Sequence, residues 1–126
     1  MSKNIINTHL APAAIGPYSQ AVFAGNLLFI AGQVAINPQT GNVEATEIAG
    51  ETTQVMKNLN AILVEAGLSF EHVVKTTIFL SDMSLFATVN EVYSKYFMGA
   101  FPARETVAVK GLPKNVNVEI SMIAAK

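Results

Sequence analysis

From Val116 onward the chain alternates. Val116, Val118, Ile120 and Met122 are apolar, and Asn117, Glu119 and Ser121 between them are polar. A period of two is what a strand buried on one face requires. A second alternating run precedes it, with Arg104, Thr106 and Ala108 on one side and Glu105, Val107 and Val109 on the other. Gly111, Leu112, Pro113 and Lys114 between the runs read as a turn. Two strands joined by a turn predict an antiparallel hairpin. Pairing Val109 with Val116 sets Thr106 opposite Glu119 and Arg104 opposite Ser121. A slide of two residues sets Arg104 opposite Glu119. Both registers place Arg104, Thr106 and Glu119 on one face. Arg104 is the only arginine in the chain. Its planar fork suits a carboxylate in a way lysine cannot copy. A rim salt bridge with Glu119 on a structural hairpin is the plainer reading, because exposed ion pairs contribute little.

Length limits what such a hairpin can belong to. A chain of 126 residues predicts one domain, spanning 1–126, with enough surface buried for its own core. Charged residues are 13% of the chain, against about 25% in an average globular domain. Hydrophobic residues reach 51%, and the mean hydropathy is +0.38. Little charge on a small domain points to an outer surface hidden in a homo-oligomer. No apolar run approaches the ~20 residues of a membrane span. The opening residues MSKNIINTHLAPAA lack the apolar core of a signal peptide, so a cytoplasmic protein without membrane partners is expected. Net charge of −1 and a pI near 6.1 disfavour a nucleic-acid surface. Cysteine is absent, which excludes thiolate catalysis and disulfides. His9 and His72 lack the spacing of metal ligands, and no phosphate-binding glycine motif is present.

Along the chain, residues 3–8 predict a short strand, and Ala11 to Tyr18, with two prolines and a glycine, a shaped loop. Tyr18 at its end presents either a phenol or a packed rim aromatic. Gln20 to Ala24 and Leu27 to Val34 predict strands joined by Gly25-Asn26. The run from Leu27 to Ala31 is apolar at every position, which predicts a strand covered on both faces. Gly32 after it permits close approach of another backbone or a ligand. A helix is expected from near Thr46 to Gly67, with Ile48, Thr52, Val55, Leu59, Ile62 and Ala66 as its core stripe and no chemistry on it. Val73 to Leu80 predicts a strand, and a second helix capped by Asp82 or Ser84 follows. Leu85, Phe86, Val89, Val92, Tyr93, Tyr96 and Phe97 form its apolar stripe, with Asn90 off the main line as a surface amide or a ligand contact. The order predicts an α+β fold with two helices against one face of a sheet, the other face being the oligomer surface.

Several stretches together resemble the Rid family, the reactive intermediate deaminases. They are Ala11-Pro12-Ala13-Ala14-Ile15-Gly16-Pro17-Tyr18-Ser19-Gln20, Gly32-Gln33, Val74-Lys75-Thr76-Thr77, Phe86-Ala87-Thr88-Val89-Asn90, and the closing run from Pro102-Ala103-Arg104 to Val118-Glu119-Ile120. They cover nearly the whole chain in order. The resemblance implies a chorismate-mutase-like fold with a mixed sheet, and a homotrimer with clefts between subunits. It implies hydrolysis of enamines and imines such as 2-aminoacrylate to 2-keto acids and ammonia, with no cofactor. By motif, Arg104 is then the carboxylate-binding residue and Glu119 positions or activates water. Tyr18 and Asn90 line the cleft, Gly32 supplies backbone contacts, and Thr106 stands where many members carry cysteine. Ala31 replaces a common serine, which bears on substrate range. Glu105 should be turned away from the site by strand alternation.

The implied chemistry suits these residues. An arginine holding the carboxylate fixes C2 of a 2-imino acid, and a carboxylate that orders a water completes the hydrolysis. Two other classes remain open: a keto-acid-binding regulatory protein that uses the same cleft without turnover, and a ribonuclease or translation inhibitor. The single arginine, the acidic pI and the lack of paired histidines weigh against the last.

Overall fold

The computed structural model describes residues 3–126; the first two residues of the expected 1–126 domain lie outside that range. Six strands form one mixed sheet: β1 (Asn4–Ile6), β2 (Ala21–Ala24), β3 (Leu27–Gln33), β4 (Val73–Leu80), β5 (Ala103–Ala108) and β6 (Val118–Ala125). Their spatial order is β1-β2-β3-β6-β4-β5. Helices α1 (Ile48–Glu65) and α2 (Phe86–Ser94) pack on one face. The α+β expectation of a mixed sheet with two helices on one side is met.

The first hairpin forms as its sequence directs. Gly25 takes a φ of 61°, which a side chain would resist, and Ala24 pairs with Leu27 across the turn. On α1, Thr52, Val55, Leu59 and Ile62 are fully buried, as the stripe predicts, and Gly67 follows its end at a φ of 78°. Glu51 on the same helix is also buried. Its carboxylate accepts the backbone N–H of Asn117 at 2.7 Å and of Val118 at 3.1 Å, and the Asn117 side-chain amide at 3.1 Å. The helix therefore fixes where β6 begins, a role its apolar spacing does not reveal.

The closing hairpin does not form. β5 pairs in parallel with β4, and β6 is inserted between β3 and β4. A parallel pair needs a crossover, and α2 supplies it. The cause lies in apolar content. Val118, Ile120, Met122 and Ala124 are 0–2% exposed, so β6 takes a central place with partners on both edges, whereas β5 stays largely exposed at the rim. Nine residues, 109–117, then carry the chain over the intervening strand. Lys114 and Asn115 take left-handed φ values of 57° and 54° there.

β3 also differs from expectation. Leu28 and Ile30 are buried under the helices, but Leu27 and Phe29 are 36% and 40% exposed on the open face. Two helices cover one side of a sheet only, so the second apolar side of β3 stands bare within the chain.

Candidate functional site

Register decides which side chains share a face. Along one row, Arg104 pairs with Thr76 and Thr76 with Met122; the next row on that face joins Thr106, Ile78 and Ile120. Thr76, Ile78, Ile120 and Met122 are buried beneath the helices. Glu119 belongs to the alternate row with Phe79 and Val107, on the open face. Arg104 and Thr106 thus share a face, as alternation predicts, and Glu119 does not join them. The expected three-residue grouping fails because the true rungs are offset by one residue from the hairpin registers, and one residue reverses the face.

Arg104 stands exposed on the edge strand, in an open cleft of about 390 Å³ with Asn90, Tyr93, Phe101 and Pro102. Its Nη1 donates to Asn90 Oδ1 at 2.7 Å. Asn90 therefore faces the arginine directly. Among the described residues it is the only hydrogen-bond acceptor found for the guanidinium, and no carboxylate pairs with it. Burial raises the Tyr93 phenol above its ordinary range, against the opposing pull of the Thr76 hydrogen bond and the Arg104 charge. Thr106 Oγ1 is buried and finds no hydrogen-bond partner among the described residues. Glu105 turns to the other face and pairs with Lys75 at 2.7 Å, as alternation requires.

Tyr18, Gly32 and Glu119 meet in a second cavity, of about 510 Å³, with Ala31, Ile15 and Lys114 on its walls. The loop that carries Tyr18 is pinned by one buried amide. Gln20 Oε1 accepts the Thr8 N–H at 2.7 Å, and its Nε2 donates to the carbonyls of Thr8 and Pro12 at 3.0 and 2.9 Å. Tyr18 itself is 56% exposed. Gly32 lies where the β3–β6 register shifts, between Ile30 and Gln33. A Cβ there would come within 2.9 Å of the Glu119 carboxyl carbon. Glycine at 32 thus clears the space the carboxylate occupies. Burial raises the Glu119 pKa above its ordinary range. A half-buried carboxylate is a better base than a solvated one.

The six expected site residues therefore fall into two groups on opposite faces. Arg104, Asn90 and Thr106 form one; Tyr18, Gly32 and Glu119 form the other. Phe86 and Tyr93 belong to the predicted core stripe, yet both rings also contact Arg104. Their spacing from Asn90, four and three residues, is the signal in the sequence that could have placed them here. His72 serves the local structure, because its Nδ1 accepts the Ser69 N–H at 3.0 Å. Among the described residues, no three His, Asp or Glu side chains converge as a metal site would require.

The sequence profile of the family described as Endoribonuclease L-PSP matches residues 8–126. A RutC family protein of Pyrococcus horikoshii is 52% identical over 98% of each chain. The 2-iminobutanoate/2-iminopropanoate deaminase of Mus musculus is 47% identical over 98% of this chain and 92% of its own. The crystal structure of E. coli TdcF with bound serine aligns with a TM-score of 0.94 at 42% identity, over 98% of this chain and 99% of that one.

Proposed function

This chain belongs to the Rid (RutC) family, and on that basis we propose that it hydrolyses reactive 2-imino acids and their enamine tautomers, such as 2-aminoacrylate, to 2-keto acids and ammonia. One observation carries the reading furthest. The only arginine stands in an open cleft, held by neutral groups, with its charge uncancelled by any carboxylate among the described residues. Such a group awaits an anion, and a planar carboxylate matches its fork. The deaminase name of the mouse relative supports the reaction class. Serine bound to the E. coli relative supports a small amino-acid-like ligand.

In the proposed reaction Arg104 holds the substrate carboxylate, with Asn90 keeping the guanidinium in place. An enamine first takes a proton at C3 to become the imine. Water then adds to C2 of the protonated C=N bond while Glu119 accepts its proton. The carbinolamine collapses: the C–N bond breaks, the proton passes to nitrogen, and ammonia leaves the 2-keto acid. Tyr18 and Gly32 border the water, and Thr106 lies on the Arg104 side. Correct placement of a water and a base accounts for this chemistry without a covalent intermediate.

Because the two groups sit on opposite faces, a working site needs the Arg104 group of one copy against the Glu119 group of another. The bare apolar face of β3 and the low charge supply a surface for that assembly. We take the assembly to be a homotrimer, with a mass near three times 13.4 kDa by light scattering and no change in high salt. The test of function is ammonia and keto-acid release from freshly generated 2-aminoacrylate. Stoichiometric release above the solvent rate is expected. Keto-acid binding without turnover would make this a regulatory binding protein instead. RNA cleavage by the purified protein would support the family's other description.

A further inference from the structure

Phe86, Asn90 and Tyr93 succeed one another at steps of four and three residues, the spacing of a single helix face. All three reach Arg104. The guanidinium carbon lies 5.4 Å from the Phe86 ring centroid and 5.2 Å from that of Tyr93. Both distances fall inside the ~6 Å range in which a ring face attracts a cation. Tyr93 is itself fixed from behind. It is 3% exposed, and its hydroxyl shares a 2.9 Å hydrogen bond with Thr76 Oγ1. Thr76 is also the register partner of Arg104 across β4 and β5. The arginine and the ring beside it are thus anchored at the same rung of the sheet.

All of these partners are uncharged. A carboxylate in the place of Asn90 would grip the fork harder but would cancel its charge. The one ion pair among the described residues, Lys75 with Glu105, lies on the other face. Two ring faces and one amide restrict the long side chain while leaving its net charge and its other N–H donors to the cleft. A flexible arginine would have to be ordered by each ligand in turn, which weakens binding.

We propose that Phe86 and Tyr93 are positioning residues, whose two ring faces hold the Arg104 guanidinium ready for a substrate carboxylate without neutralising it. The proposal rests on Arg104 as the carboxylate-binding group. Because Arg104 is the only arginine, its Nε–H gives the one arginine signal of that kind in a nitrogen–proton correlation spectrum of the assembled protein. Phe86→Leu and Tyr93→Leu each remove a ring and keep an apolar side chain. Each is expected to move that signal toward free arginine and to lower the preference for pyruvate over pyruvamide about three- to ten-fold. Pyruvamide has the same skeleton without the charge, so general loosening of the fold would weaken both ligands and leave the ratio. Tyr93→Phe keeps the ring and should restore signal and ratio although the Thr76 bond is lost. An unmoved signal and an unchanged ratio in the leucine variants would overturn the proposal. Should Tyr93→Leu fail to fold, the partly exposed Phe86 gives the same reading alone. A signal that moves while the parent protein shows no preference for pyruvate would instead overturn the carboxylate assignment, and the readiness claim with it.

Discussion

The two halves of the candidate site are built by opposite means. Around Arg104 the chain adds material: two rings and an amide from α2 crowd a long, charged side chain into one orientation. Around Glu119 it removes material. Gly32 leaves the room the carboxylate needs, and a register shift in β3 brings that empty position beside it. The difference fits the role proposed for each group. A guanidinium that binds an anion gains from being fixed and still charged. A carboxylate that takes a proton gains from partial burial, which raises its basicity.

The most severe way to break this contrast is Glu119→Gln, which keeps the shape and loses the base. Turnover should fall about 10²–10⁴-fold, while calorimetry still detects pyruvate binding. Equal losses in rate and binding would reduce Glu119 to an orienting role. Arg104→Ala attacks the other half. It should weaken 2-keto-acid binding by about 10- to 100-fold, the worth of roughly 1.5–3 kcal/mol in charge-assisted hydrogen bonds. Arg104→Lys should recover only part, because the fork is gone. Parent-level deamination by the alanine variant would make the arginine structural.

Gly32→Ala is a smaller and sharper probe. The new methyl meets the far end of a flexible side chain, so the protein should melt close to the parent temperature. The carboxylate must shift, and turnover should fall on the order of 10-fold with keto-acid binding kept. An unchanged rate would show that its placement is not critical. The subtlest effect is on pH. Glu119 has to be ionised to accept a proton, so turnover should decline as pH falls through its folded pKa. Burial raises that pKa, which places the acid limb above the ordinary glutamate value of about 4.3. The limb should vanish from the residual activity of Glu119→Gln. It should move down in Gly32→Ala if the methyl pushes the carboxylate into solvent.

Much of this molecule is legible in its sequence, and what is not has a physical cause. Alternation locates β5 and β6, and apolar spacing locates α1 and α2, because each depends on near neighbours in the chain. Alternation does not say which strand lies between two others. Pairing β5 with β6 therefore carries Glu119 to the wrong face, although Arg104 and Thr106 are correctly grouped. Leu27 and Phe29 look covered in the sequence and are not covered within one chain, because apolar content reports a need for burial and not what meets it. Phe86 and Tyr93 look like core alone, since a ring at helical spacing reads the same whether its face meets leucine or arginine. Gly32 stands out in the sequence as a place where a backbone or a ligand could come close; what lies against it is the Glu119 side chain, which sequence separation conceals.

Whether the two halves meet only between copies of the chain is tested most directly by mixing two impaired variants, assayed at an imine concentration too low to saturate either. Arg104→Ala and Glu119→Gln are purified separately, unfolded together in equal amounts and reassembled. If each site takes its arginine group from one subunit and its carboxylate group from a neighbour, random assembly pairs an intact arginine with an intact glutamate in about a quarter of the sites. Deaminase activity should then return to about a quarter of the parent value. If both residues of a site came from the same chain, every mixed assembly would stay as impaired as the separate variants, and that result would contradict a site shared between subunits.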